Sequence, residues 1–283
     1  MTLCIAALCE ITNTKIVVAY DTMISTEIAE AESIHKLEKI GHHWWVLLAG
    51  EDVSTARELI GLFRHHFKQK PNGPKGESVE EGLVEDDALE ELRKPIERFW
   101  NSRRNHEARV LTGRDYEEFL KEQAKFPERI QDAIFDVTAP RTELLLIGGV
   151  KDKYSGERRL RLYKATAGGV TLCENFGAIG SGSVIAQAAL MQRKHSELWK
   201  LTPTLYAVYE AQYLGRIAPG VGAELRMNVF RHSKTLKSTV FVVPNNQVFY
   251  RHMKALYKKF GLKPIDEKRI QMPDGSLFGL SED

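Results

Sequence analysis

A threonine follows the initiator methionine. Its side chain is small enough for Met1 to be excised, and the chain then opens on a residue carrying both a hydroxyl and a free α-amine. An α-amino group titrates near ~7.7–8.0, so Thr2 joins a nucleophile to its own neutral base at physiological pH. Such a pair suits attack on an amide carbonyl and needs no histidine. Met-Thr alone also describes many ordinary N-termini, so the reading depends on what surrounds it. Three further residues stand at the ends of apolar runs: Asp21 after 16–20, Lys36 before 37–40, and Gly50 after 45–49. If these runs are adjacent strands, Thr2, Asp21, Lys36 and Gly50 gather at one end of a sheet system. Taken alone, Asp21 and Lys36 read equally well as a surface salt bridge, which contributes little. Ser181 lies in Gly180-Ser181-Gly182-Ser183, just ahead of a helical pattern. That segment reads as a tight turn or as an anion cradle at a helix start. The lysine of a Walker loop and the G-x-G-x-x-G order are both missing.

The elements that would position these residues follow from periodicity. The runs 4–8 and 16–20, separated by Asn13 and Thr14, predict a hairpin rich in apolar and β-branched residues. The runs 37–40 and 45–49 predict a second pair, with Gly41-His42-His43 at the bend. Ala56, Leu59, Ile60, Phe63 and Phe67 recur at helical spacing, with Asp52 or Ser54 as the cap. His65 and His66 near the end of that helix suit its dipole. Residues 70–139 change character: a breaker cluster at 71–76, an acidic stretch at 80–91, and helical segments near 92–103 and 116–125, interrupted by Pro95, Pro127 and Pro140. This is read as a charged helical insertion on the surface, with too few apolar residues for its own core. Strands then resume at 143–147, at 159–163 (alternating Arg and Leu, as an exposed strand does) and at 170–173. Helices follow near Val184 and from Thr202, the expected cap with Pro203 in the first turn, to about Ile217. Strands near 225–229 and 239–243, a basic helix at 251–260 and an irregular tail complete the order. Clustered strands with segregated helices predict an α+β fold with sheets packed between helices. The whole chain, 1–283, reads as a single domain, with the insertion at about 70–139 and a C-terminal extension at about 245–283.

Composition narrows the partners. The 283 residues carry 40 Lys plus Arg against 38 Asp plus Glu, a formal charge of +2, so nothing draws the chain to nucleic acid or to an anionic membrane. Cys4, Cys9 and Cys173 make no disulfide framework and no metal-binding spacing, which suits a reducing, cytoplasmic setting. Cys4 and Cys9 read as small buried hydrophobes. No secretory or membrane-spanning segment is expected, and no metal or cofactor.

In the order of these motifs the chain resembles the β-type subunits of the 20S proteasome and their bacterial relative, the heat-shock-locus V peptidase. The resemblance is carried by Thr2, by Tyr20-Asp21-Thr22, by Lys36-Leu37-x-Lys39-Ile40, by Leu48-Ala49-Gly50-Glu51-Asp52 and by Gly180-Ser181-Gly182-Ser183. It covers about the first sixty residues and then roughly 143–243. It implies a four-layer αββα sandwich of two antiparallel sheets between helices, the N-terminal-nucleophile (Ntn) hydrolase type. It further implies Thr2 as the nucleophile of a threonine peptidase, and Lys36 favouring loss of the hydroxyl proton. Asp21 would hold Lys36, Gly50 N–H would act as oxyanion donor, and Ser181 would position the Thr2 amine or a bridging water. Ile24, Ser25, Ile34, Leu48 and Asp52 would line the substrate site. Peptide or protein substrates, a homo-oligomeric ring and an ATP-dependent unfoldase are the implied partners.

The resemblance departs at one place. Where the proteasome pattern has an Asp and then Ser-Gly, this chain has Ala218-Pro219-Gly220-Val221-Gly222-Ala223, and only Gly222 fits. Two other functions therefore stand beside the peptidase: a non-catalytic structural subunit of a proteasome-like assembly, and an amidase or acylase acting on small amides with the same fold.

Overall fold

A computed structural model describes residues 2–11, 14–21, 24–25, 30–31, 36–50, 53–69, 78–135, 137, 142–166, 168–233, 238–242 and 246–261. Met1, Asn13, Thr22, Ile34, Glu51, Asp52, the 71–76 breaker cluster, Pro140 and the tail from 262 lie outside the described residues.

The first strands are β1 (Leu3–Cys9), β2 (Lys15–Asp21), β3 (Ile24–Ser25), β4 (Glu30–Ala31), β5 (Leu37–Lys39) and β6 (Trp44–Gly50). The helices α1 (Val53–Lys68), α2 (Val79–Gly82), α3 (Glu85–Thr112), α4 (Tyr116–Glu122) and α5 (Glu128–Phe135) follow. Next come β7 (Thr142–Lys151), β8 (Arg158–Thr166), β9 (Gly169–Cys173) and β10 (Phe176–Gly180). The chain continues through α6 (Ser183–Gln192), α7 (Leu201–Gly215), β11 (Leu225–Ser233), β12 (Ser238–Val242) and α8 (Asn246–Phe260). One five-stranded sheet runs β10-β1-β2-β11-β12 and another runs β5-β6-β7-β8-β9, while β3 and β4 form a short ribbon. All their pairings are antiparallel.

The two sheets close face to face. Cys4, Ala6, Leu8, Ile16, Val18 and Tyr20 meet Leu47, Ala49, Leu145, Ile147, Leu160 and Leu162 in one apolar layer. The alternate residues of β1, Leu3, Ile5, Ala7 and Cys9, turn the other way and pack under α6, α7 and α8. On the far side Val46, Leu48, Leu144 and Leu146 pack under α1 and α3. Because both faces of β1 are covered, its sequence is a continuous apolar run and not an alternating one. Each large apolar side chain closed off in this way contributes about 1.5–3 kcal/mol. The molecule is thus a mixed α/β sandwich of two antiparallel sheets with helices outside.

Several expectations change on contact with the packing. Pro95 does not interrupt the chain but is buried within the 28-residue α3. The first half of that helix is no surface feature: Ala88, Leu92, Ile96 and Phe99 complete the core under α1. Its far half supports α4 and α5 through a small separate cluster of Ala108, Phe119 and Ile134. Strand β8 is interior, between β7 and β9, and Arg161 is covered by α3 through an ion pair with Glu85 at 2.6 Å. Helix α7 begins with Lys200 at the cap position, so Thr202 lies inside its first turn, and the helix ends at Gly215. Ser54 falls inside α1, and α8 starts five residues ahead of Arg251. His66 is 2% exposed beside Glu91. Burial lowers its pKa, so the neutral ring gains little from the helix dipole.

Candidate active site

Thr2 stands immediately ahead of β1, which is flanked by β2 and β10. The β1–β2 register pairs Cys4 with Tyr20 and so brings Asp21 level with the start of β1. Asp21 Oδ1 accepts the Leu3 N–H at 2.8 Å and the Thr2 hydroxyl at 2.7 Å. Lys36 comes from the other sheet. It leads into β5, its carbonyl accepts the Leu48 N–H at 3.0 Å, and its side chain crosses the sandwich. Lys36 Nζ donates to Asp21 Oδ1 at 2.7 Å and also to Thr2 Oγ1. The hydroxyl therefore sits between a cation and a carboxylate, donating to one and accepting from the other.

This cluster is closed to solvent: Asp21 and Lys36 are 0% exposed and Thr2 4%. Removing two charges from water is expensive, and a buried ion pair often stabilises a fold no better than apolar residues of the same volume. The remaining Asp21 oxygen, Oδ2, accepts the Gly222 N–H at 2.9 Å. The Ala218–Ala223 stretch thus supplies a backbone donor where the proteasome pattern has polar side chains. Ala218 itself is buried and Val221 packs against the helical layer.

Cys4 lies beside the cluster on the inter-sheet face, its Sγ donating to the Leu48 carbonyl at 3.5 Å. Burial pushes its thiol up to about 12, with Lys36 opposing and Asp21 adding to the shift. The thiol stays protonated and is a poor nucleophile there.

Gly50 ends β6 opposite Thr142, with a φ of 152° that favours glycine. Leu48, two residues earlier, turns its side chain into the layer under α1. Ile24 and Ser25 form β3 against Ala31 and Glu30. Ile34 and Asp52 lie outside the described residues. Ser181 Oγ donates to the Thr2 carbonyl at 3.4 Å and to the Pro219 carbonyl at 3.1 Å. It therefore contacts Thr2 directly, through the carbonyl.

The structure thus brings Thr2, Asp21, Lys36 and Ser181 into one bonded group. The Gly222 N–H and the Glu143 side chain, which accepts the Gly180 N–H at 2.8 Å, belong to the same end of the sandwich and were not anticipated. A backbone N–H leaves no mark on residue type. Glu143 did leave one, as a charge heading an apolar strand.

Among the described residues no group of three or more His, Cys, Asp or Glu could hold a metal ion. No described helix is long and apolar enough to cross a membrane. No family model matches the chain, and no curated protein matches it.

Proposed function

We propose that the protein is a threonine-type hydrolase of the N-terminal-nucleophile class, with a proteasome-like αββα sandwich and peptide bonds as substrate. The observation that carries this reading is the Thr2 hydroxyl held between Lys36 Nζ and Asp21 Oδ1 in a buried cluster at the start of the chain.

Once Met1 is removed, the Thr2 α-amine accepts the hydroxyl proton as Oγ bonds to the substrate carbonyl carbon. The carbonyl oxygen takes up the electron pair as an oxyanion, with the Gly50 N–H as donor and Lys36 as the nearby cation. Collapse breaks the C–N bond, and the proton held by the α-amine passes to the leaving amine. Water then attacks the ester on Thr2, gives its proton to the same α-amine, and releases the acid with the hydroxyl restored.

Turnover of a panel of fluorogenic peptides and simple amides tests the reading. Thr2→Ala is expected to lower the rate about 10³-fold or more. Equal rates for variant and wild type overturn it, and cleavage of simple amides alone would redirect it to an amidase. On the same reading like chains assemble into a ring served by an ATP-driven unfoldase. Native mass spectrometry should then show one large homo-oligomer, and a monomer would contradict the ring.

A further inference from the structure

Glu143 is the second residue of β7, opposite Ala49 and one residue beyond the Gly50–Thr142 pair. Its Oε2 accepts the Gly180 N–H at 2.8 Å, and its Oε1 lies 2.6 Å from Lys164 Nζ. Gly180 ends β10 in the other sheet, opposite Leu3, with a φ of 91°. A Cβ at Gly180 would stand 2.1 Å from the Thr2 carbonyl oxygen, so this backbone rests directly against the residue that opens the chain. The positive φ is needed for that approach. Its N–H is met by a carboxylate from the facing sheet.

One side chain therefore ties the strand end that leans on Thr2 to the strand pair that carries Gly50. The two sheets meet mostly through apolar side chains, and this bond is a second directional tie between them beside the Lys36–Asp21 pair. A charge-assisted hydrogen bond has a direction and a length, and the Lys164 ion pair restrains the carboxylate that makes it.

We propose that Glu143, held by Lys164, is a positioning residue that sets the spacing between the Thr2 hydroxyl and the Gly50 N–H. The inference rests on the hydrolase reading above. It touches neither substrate nor nucleophile. It acts through Gly180, and a displacement of about 1 Å between reacting groups lowers a rate on the order of 10²-fold.

The test is acylation of Thr2 by a β-lactone, followed as added mass on the intact protein, with amide hydrogen exchange at Gly180 measured in parallel. Glu143→Ala should leave Gly180 rapidly exchanging and slow the maximal acylation rate about 10–100-fold, with the half-saturating probe concentration unchanged. Glu143→Gln keeps an acceptor oxygen for the Gly180 N–H, so it should restore slow exchange and bring the rate to within a few-fold of wild type. If Glu143→Ala does not fold, Glu143→Asp, one methylene short of Gly180, takes its place with the same expectation. An exposed Gly180 amide with an unchanged acylation rate overturns the positioning role alone. So does a Glu143→Gln protein with a protected Gly180 amide that is as slow as Glu143→Ala. If wild type is not acylated at Thr2, the hydrolase reading fails and the positioning role falls with it.

Discussion

Lys36 Nζ lies 2.7 Å from Asp21 Oδ1, and the two side chains come from opposite sheets of the sandwich. Neither has access to water. The pair is therefore a bolt between the sheets as well as the frame around the Thr2 hydroxyl. Removing either partner strands the other charge in the interior, so Lys36→Met and Asp21→Asn should each lower unfolding free energy by about 3–5 kcal/mol. The double variant should lose clearly less than the sum of the two. Urea denaturation of the four proteins measures the coupling, and additive losses would show that the pair does not act as a unit.

Gly180 offers a second test. Alanine there meets both an unfavourable φ of 91° and a Cβ 2.1 Å from the Thr2 carbonyl. Backbone strain of this kind costs about 1–3 kcal/mol before any clash is added. Gly180→Ala should therefore melt earlier and lose most Thr2 reactivity, whereas an ordinary glycine site would tolerate the change. A melting temperature equal to that of wild type would contradict the close approach.

Two buried histidines predict acid sensitivity. Burial lowers His43 to about 3, with Arg158 next in effect, and burial lowers His195 to about 4 against the opposing bond to the Leu8 carbonyl. Both fall below the ordinary value near 6.5. In the unfolded chain these rings take up protons below about pH 6.5, while in the folded protein they resist until about pH 4 and 3. The stability they contribute is thus present above pH 6.5 and is lost as pH falls through that window. Urea midpoints at pH 7.5 and 5 should differ in wild type, and the difference should shrink in His195→Gln. An unchanged difference would remove His195 from the account.

Cys4 provides a chemical control. With its thiol pushed up to about 12 and fully buried, it should resist iodoacetamide at pH 8 in the native protein and react once the protein is unfolded. Labelling of native Cys4 at the rate of a free thiol would show that this end of the sandwich is open to solvent.

β1, β2 and β6 were evident as apolar and β-branched runs, and Asp21, Lys36 and Gly50 could be placed because each marks a strand end. Gathering Lys36 with Thr2 and Asp21 depends further on the facing of the two sheets, which no local run conveys. What local pattern could not convey was pairing over long separations. Arg161 suggested an exposed strand because its cover, Glu85 of α3, lies far away in sequence, while Arg159 is indeed exposed. Pro95 looked like a breaker because propensity weighs it alone, whereas packing under Leu92, Ile96 and Phe99 holds the helix together around it. The Gly222 and Gly180 contacts use backbone N–H groups, which every residue but proline possesses.

The central claim is that Thr2, freed of Met1, forms a covalent acyl intermediate. Intact mass spectrometry of the purified protein, before and after rapid quenching with an activated ester or peptide substrate, tests it most directly. The account predicts a chain lacking Met1, a transient acyl adduct that maps to Thr2, and no adduct in Thr2→Ala. A chain that retains Met1 in every preparation, or an adduct that persists unchanged in Thr2→Ala, would contradict it.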